Sequence, residues 1–275
     1  MKIGVLGLLF YFVCSFVFAD QEDLVRIKGS DTMVNLEKKL SWRFMEKHPD
    51  VNIAVRGGGS DVGFAALLDE RCEIVDSSRR IEQKEIFRAK EKGFEPKEYT
   101  IALDGLVIAV NINNQVSSLT VEEIKAIFTG NIANWRDVGG RDAKIRVVSR
   151  ELGSGTYAFF REHILADADF SKDAIVLSSN QDIVDEIIAD KDAIGYCGMG
   201  FLSNKFKAVK VAKDEQSEYV SPTKDNVKNS KYPICRPLFM YTKGEPVWHV
   251  GYFLNYIMSE EGQKVIEKAG FVPIS

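Results

Sequence analysis

"RELGSGTYA", residues 150–158, follows the apolar run "KIRVVS" at 144–149 and leads into a helical pattern from about Thr156. An arginine, two glycines around a serine and a threonine therefore sit at a strand-to-helix junction. There the first N–H groups of the helix lack intrahelical partners and point, with any hydroxyl beside them, beyond the carboxyl end of the strand. Three other stretches share the form: "KGSDT" (28–32), "RGGGSD" (56–61) and "DSSRR" (76–80), and in at least three of the four a helix follows at once. Any one alone is more often a tight turn with a capping serine. Four in one chain point to a common polar pocket.

Outside these junctions, short β-rich runs ("LVRIKG", "VNIAV", "EIVDS", "YTIAL", "LVIAVN", "AIVLSS", "AIGYCG") alternate with amphipathic helical patterns. This order predicts an α/β architecture with largely parallel sheets. The helix after Thr32 carries Met33, Leu36, Leu40 and Phe44 on one stripe, with Glu37, Lys38, Lys39, Arg43 and Glu46 off it. "TVEEIKAIFTG" (120–130) has a capping box from Thr120 to Glu123 and a terminal glycine. The polar segment 213–231 lacks periodicity and reads as a surface excursion. Two closing helices, around 247–258 and 260–269, have too few residues after them for a domain of their own.

The chain has 275 residues, 45% of them apolar, enough for one large or two medium domains, and two lobes are expected. Charged residues make up 28% with a net charge of −4 and interspersed signs, which argues against a nucleic-acid surface. The start, "MKIGVLGLLFYFVCSFVFAD", has one lysine, a short apolar stretch and Val17 and Ala19 at small-residue positions, the pattern of a signal peptide (1–19) cleaved after Ala19. The mature protein is expected to be soluble and outside the cytoplasm, with lipidation of Cys14 as the alternative. Cys72, Cys197 and Cys235 then remain; three cannot all pair, and their apolar surroundings read as buried thiols.

An anion in the shared pocket must be balanced by charge. Three helix N-termini at about half a positive charge each, with Arg150, come close to offsetting a tetrahedral oxyanion of about −2. Other chemistries fit less well. "GSGTYA" matches a dinucleotide fingerprint, but the next strand ends in Ser178, Ser179 and Asn180 without an acid for a ribose. No Gly-Lys occurs for a nucleotide phosphate loop. A hydrolase elbow requires glycine two positions away on both sides of the serine, whereas Ser154 has Leu152 and Thr156 there and Ser60 has Gly58 but Val62. His48, His163 and His249 lie on or beside helices, none near the motifs in sequence, so neither a catalytic base nor a zinc site has support, and no cofactor is implied.

Together "IKGSDTM", "HP.VNIAVRGGGSD.GFAALL", "DSSR", "VVSRELGSGTYAFF", "IGYCGMGF", "YPICRPLFMYT" and "SEEGQKVIEKAGFVPI" resemble, in order and over nearly all of the mature chain, the phosphate-binding proteins of bacterial phosphate ABC transporters. The resemblance implies a periplasmic-binding-protein fold: two α/β lobes joined by two crossing strands near 102–106 and 236–238. Lobe I would comprise 20–104 and 238–275, taking in the closing helices, and lobe II 105–237. It implies a non-catalytic, monomeric periplasmic receptor that encloses inorganic phosphate and delivers it to inner-membrane ABC permease subunits.

The family's ligands fall on Thr32, Met33, Ser60, Ser78, Arg150, Ser154, Gly155 and Thr156, with Ser30 and Ser77 beside them. Some relatives have an aspartate at the position of Ser78, which accepts the proton of hydrogen phosphate and so excludes sulfate. Here the letters are Ser77-Ser78-Arg79, so Asp31 or Asp61 is expected to take that role. The alternatives are a receptor for sulfate or molybdate, or a phosphate-ester hydrolase with Ser154 or Ser60 as nucleophile.

Overall fold

In the computed structural model, residues 24–274 are described; the expected signal peptide and Cys14 lie outside the described residues. The elements run β1 (Leu24–Gly29), α1 (Val34–Met45), β2 (Asn52–Arg56), α2 (Ser60–Leu68), β3 (Ile74–Ser77), α3 (Gln83–Glu91), β4 (Pro96–Asn111), β5 (Ser118–Thr120) and α4 (Val121–Thr129). They continue with β6 (Arg146–Arg150), α5 (Gly155–His163), β7 (Ile175–Leu177), α6 (Asn180–Ala189), β8 (Ala193–Gly198), β9 (Phe206–Ala208), β10 (Lys210–Ala212), α7 (Lys224–Lys228), β11 (Cys235–Lys243), α8 (Trp248–Met258) and α9 (Glu260–Lys268).

The strands form one sheet in the order β2-β1-β3-β11-β4-β8-β6-β7, with β9 beside β4, and a small β10-β5 pair. Its two ends are parallel, β1 with β2 and β3, and β6 with β7 and β8. The centre is not. β11 runs antiparallel to β3 and β4, and β4 antiparallel to β8, so the largely parallel sheet expected from the sequence is a mixed one. The physical reason is the connection: a chain that crosses from one lobe to the other and later returns must run its two crossing segments in opposite directions.

The runs "YTIAL" and "LVIAVN" are likewise one strand of 16 residues, β4, continuous through Asp104-Gly105. Its first part pairs with β11 and its later part with β8 and β9, so each lobe's sheet claims one stretch. β11 shifts register between Leu238 and Phe239, the irregularity expected where a strand bends between two sheets. Two α/β lobes are thus joined by two crossing strands.

α1 buries Leu36, Leu40 and Phe44 as its spacing predicts, but Glu37 and Ser41 are buried too, so the inward stripe is wider than the apolar letters and Glu37 belongs on it. α4 has the expected capping box, with Thr120 Oγ1 accepting from Glu123 N (3.1 Å) and Glu123 Oε2 from Thr120 N (2.8 Å), and ends at Gly130 in the left-handed region. A cap of this kind contributes about 1 kcal/mol.

The polar segment 213–231 is not only a surface excursion: it contains α7, held by buried Val227, and leads to buried Tyr232, whose hydroxyl donates to Leu106 O (2.9 Å). α8 and α9 pack on α1, with Phe253 edge-on to Phe44 at 5.3 Å and Lys47 paired with Glu261 at 2.5 Å. Beyond them Val272 bridges Leu103 on β4. Cys72 and Cys197 are buried, Cys235 is half-buried, and all three are free thiols. Among the described residues no helix is long and apolar enough to cross a membrane.

Candidate functional site

The glycine–hydroxyl junctions meet where the lobes face each other. From one lobe come the turn after β1, the N-terminus of α2 and the loop after β3; from the other, the end of β6 and the N-terminus of α5. Thr32 and Thr156, 124 positions apart in sequence, share a hydrogen bond of 2.8 Å between their hydroxyls. Thr156 Oγ1 is also 3.4 Å from Ser78 Oγ, and Ser30 Oγ donates to Ser78 Oγ (2.9 Å). Ser60 Oγ accepts from Ser78 N (3.2 Å), and Ser154 caps α5 by accepting from Thr156 N and Tyr157 N. All these side chains are buried.

Two glycines make the approach possible. A Cβ on Gly155 would collide with Ser60 Oγ and lie 2.9 Å from Ser78 Oγ. Gly59, at φ +96°, abuts the backbone of Gly153, whose carbonyl accepts from Asp61 N (3.3 Å).

Arg150 ends β6 with a fully buried guanidinium. Its Nη2 donates to Ser178 O (2.7 Å), while Nε and Nη1 make no hydrogen bond. Burial lowers its pKa, but from so high a starting point that it remains cationic. A buried cation with two uncommitted donors is costly by itself and calls for an anion. Asp31 Oδ2, at 3.8 Å from Nη1, is the acid at hand; it also accepts from Asn180 N (2.8 Å) and Nδ2 (3.1 Å).

Not every residue expected here joins the cluster. Ser77 Oγ turns away to donate to Arg79 O (2.6 Å), and Met33 N closes a turn onto Ser30 O (3.1 Å). Asp61 is half exposed and held by Arg79, which donates to its Oδ1 from Nη2 (2.6 Å) and also pairs with Glu85 (2.7 Å). Arg79 is therefore a structural bridge, and Arg80 pairs with Glu98 at 3.2 Å.

Three residues escaped the sequence reading. Asn180, fully buried at the start of α6, donates through Nδ2 to Thr32 Oγ1 (3.2 Å); the strand "AIVLSS" followed at once by a helix was the same junction signal a fifth time. Asp104 and Arg236 form a buried ion pair at 2.9 Å on the crossing strands. Their signal was a charged letter inside each of two apolar runs, "IALDGLVIA" and "YPICRPLFM".

Thr32, Ser60, Ser154 and Thr156 each accept an N–H at the hydroxyl oxygen, from Asn180, Ser78, the α5 backbone and Arg236 respectively. A hydroxyl so engaged keeps its own hydrogen to give. With Arg150 and three helix N-termini, the pocket is rich in donors and positive at its walls. Among the described residues no group of His, Cys, Asp and Glu could hold a metal ion.

Two lobes on crossing strands, closing on a donor-lined pocket, define a solute-binding protein of the periplasmic type. The PBP superfamily domain matches residues 18–261. The chain is 33% identical over 257 residues to the phosphate-binding protein PstS of Staphylococcus epidermidis, spanning 89% of this chain and 77% of that one, and 32% identical over 256 residues to PstS of Staphylococcus aureus. The chain therefore belongs to the PstS family within the PBP superfamily.

Among solved structures, it superposes with TM-score 0.83 on a Clostridium perfringens protein assigned as a phosphate ABC transporter substrate-binding protein, with bound phosphate; identity is 33%, with 92% of this chain and 100% of that one covered. An ABC-type phosphate transport receptor from Vibrio cholerae gives TM-score 0.73 at 29% identity, covering 90% and 99%.

Proposed function

We propose that this protein is an extracytoplasmic receptor that encloses inorganic phosphate between its lobes and passes it to an inner-membrane ABC permease. The observation that carries the reading is Arg150: a buried guanidinium with two free donors, beside a cluster of buried hydroxyls that can turn their hydrogens to an anion. Lobe I comprises 20–104 with 238–275 and lobe II 105–237. Thr32, Ser60, Ser78, Arg150, Ser154, Gly155 and Thr156 hold the anion, with Ser30 supporting Ser78. The protein acts as a monomer in the periplasm after loss of its signal peptide, and no covalent chemistry is involved.

A pocket of donors alone would take sulfate as readily as phosphate. Discrimination needs an acceptor for the proton that only hydrogen phosphate carries. Of the two candidate acids, Asp61 is committed to Arg79 and half exposed, whereas Asp31 lies against Arg150. Asp31 is the acceptor.

Isothermal titration with phosphate, arsenate and sulfate tests the reading. Phosphate is expected to bind with Kd near a micromolar or below, about 8 kcal/mol or more; arsenate, of like shape and protonation, should bind as well and sulfate far more weakly. Failure to bind phosphate, or equal binding of sulfate, overturns it, as does turnover of an aryl phosphate ester.

A further inference from the structure

Arg236 lies on β11 directly across from Asp104 on β4, at the crossing between the lobes. Its guanidinium is fully buried and its bonds go in three directions. Nε and Nη2 donate to Asp104 Oδ2 (3.0 and 2.9 Å), Nη1 donates to Ser78 O (3.0 Å), and Nη2 also donates to Thr156 Oγ1 (3.0 Å). Asp104 in turn accepts from Met199 N through Oδ1 (2.9 Å), and the guanidinium lies over the Phe159 ring of α5 at 5.4 Å. One side chain on the crossing strands thus touches a site loop of one lobe and a site hydroxyl of the other.

We infer that Arg236, backed by Asp104, is a positioning residue that orients the Thr156 hydroxyl to donate to the bound anion. By filling a lone pair on Thr156 Oγ1 it leaves that oxygen's hydrogen to be given, to Thr32 Oγ1 at 2.8 Å or to an anion bound beside it. It does so without adding net charge, because Asp104 neutralises it. Three simultaneous, divergent contacts need the rigid planar fork of arginine; a lysine nitrogen in the same place cannot reach Asp104, Ser78 O and Thr156 together. The inference rests on the phosphate reading of the same pocket.

A double-mutant cycle on phosphate affinity separates this role from a merely structural one. Arg236→Lys is expected to weaken phosphate binding about tenfold in the wild-type background and less than about twofold in Thr156→Val, while the two variants' effects on melting temperature add. Equal loss in both backgrounds, or an unchanged affinity of Arg236→Lys, overturns the inference.

If the lysine variant does not fold, the apolar pair Asp104→Leu/Arg236→Met, which leaves no unpaired buried charge, takes its place. It should show the same loss and the same insensitivity in the Thr156→Val background; unchanged affinity there overturns the inference equally. Wild-type protein is titrated alongside. Its failure to bind phosphate would overturn the proposed function, a result distinct from binding that persists without coupling.

Discussion

Glu37 on α1 and Asp76 on β3 are buried carboxyls beneath the pocket. Burial, aided by the nearby Asp76 charge, pushes Glu37 well up, and burial pushes Asp76 up to about 8 against the backbone amides of Asp76 and Ser30. Each acid is therefore harder to ionise in the folded chain than in the unfolded one. Asp76's contribution to stability is full below its unfolded pKa of about 4 and is lost as pH rises through about 8. Melting temperature should accordingly fall between pH 5 and pH 8, and Asp76→Asn should flatten that decline; a wild-type profile flat over this range would contradict the burial argument.

A second prediction belongs to Asp31. Asp31→Asn should raise sulfate affinity and cut the phosphate-to-sulfate preference by about tenfold or more, whereas Asp61→Asn should leave the preference alone, as paired titrations would show. At this scale the sequence was legible where a residue type has few uses: the arginine after a strand and before Gly-Ser-Gly ends up buried with two uncommitted donors. It was not legible where burial alone assigns the role. Glu37 carries a charged letter, and only the packing of α1 against β2, α8 and α9 reveals that it faces inward.

Helix α5 shows what an element adds. Its first residue, Gly155, passes so close to Ser60 and Ser78 that any side chain would hold the lobes apart. Alanine at a helix position ordinarily adds about 0.5–1 kcal/mol over glycine. Gly155→Ala should therefore leave the melting temperature of the phosphate-free protein unchanged or slightly higher while weakening phosphate binding by roughly tenfold or more. Calorimetry and titration on one preparation would read both, and unaltered affinity would refute the close approach.

Helix starts were legible because unpaired N–H groups demand serine, threonine or glycine, as at Ser154 and Thr120. α7 was not: it is short, and its two anchors, Val227 and Tyr232, lie in an otherwise polar stretch without a period. The unity of β4 was hidden for a related reason. Asp104-Gly105 resembles a turn, and only the ion pair with Arg236 makes a buried aspartate tolerable in mid-strand.

For the whole molecule, the two lobes meet through hydroxyls and backbone, as in the 2.8 Å contact of Thr32 with Thr156. A ligand that both lobes grip stabilises the folded chain by an amount that grows with the logarithm of its concentration over Kd. Phosphate at about 100 times Kd should raise stability by about 2.7 kcal/mol, visible as an upward shift of the melting transition, and sulfate at the same concentration should give little shift. Identical shifts would show that the lobes read charge alone.

The two-lobe plan was legible from chain length, apolar content and the family resemblance, but the antiparallel centre was not, since it arises from where the chain returns. That return sets an order of assembly. β3 has β11 as its neighbour on one side, and α1 is covered by α8 and α9, so the first lobe's sheet and helix layer stay incomplete until the last segments of the polypeptide are made. The second lobe, drawn from an unbroken stretch, meets no such delay. A chain so arranged remains unfinished at its beginning until its end emerges, a trait that suits the exported receptor proposed above, which would cross a membrane before it settles.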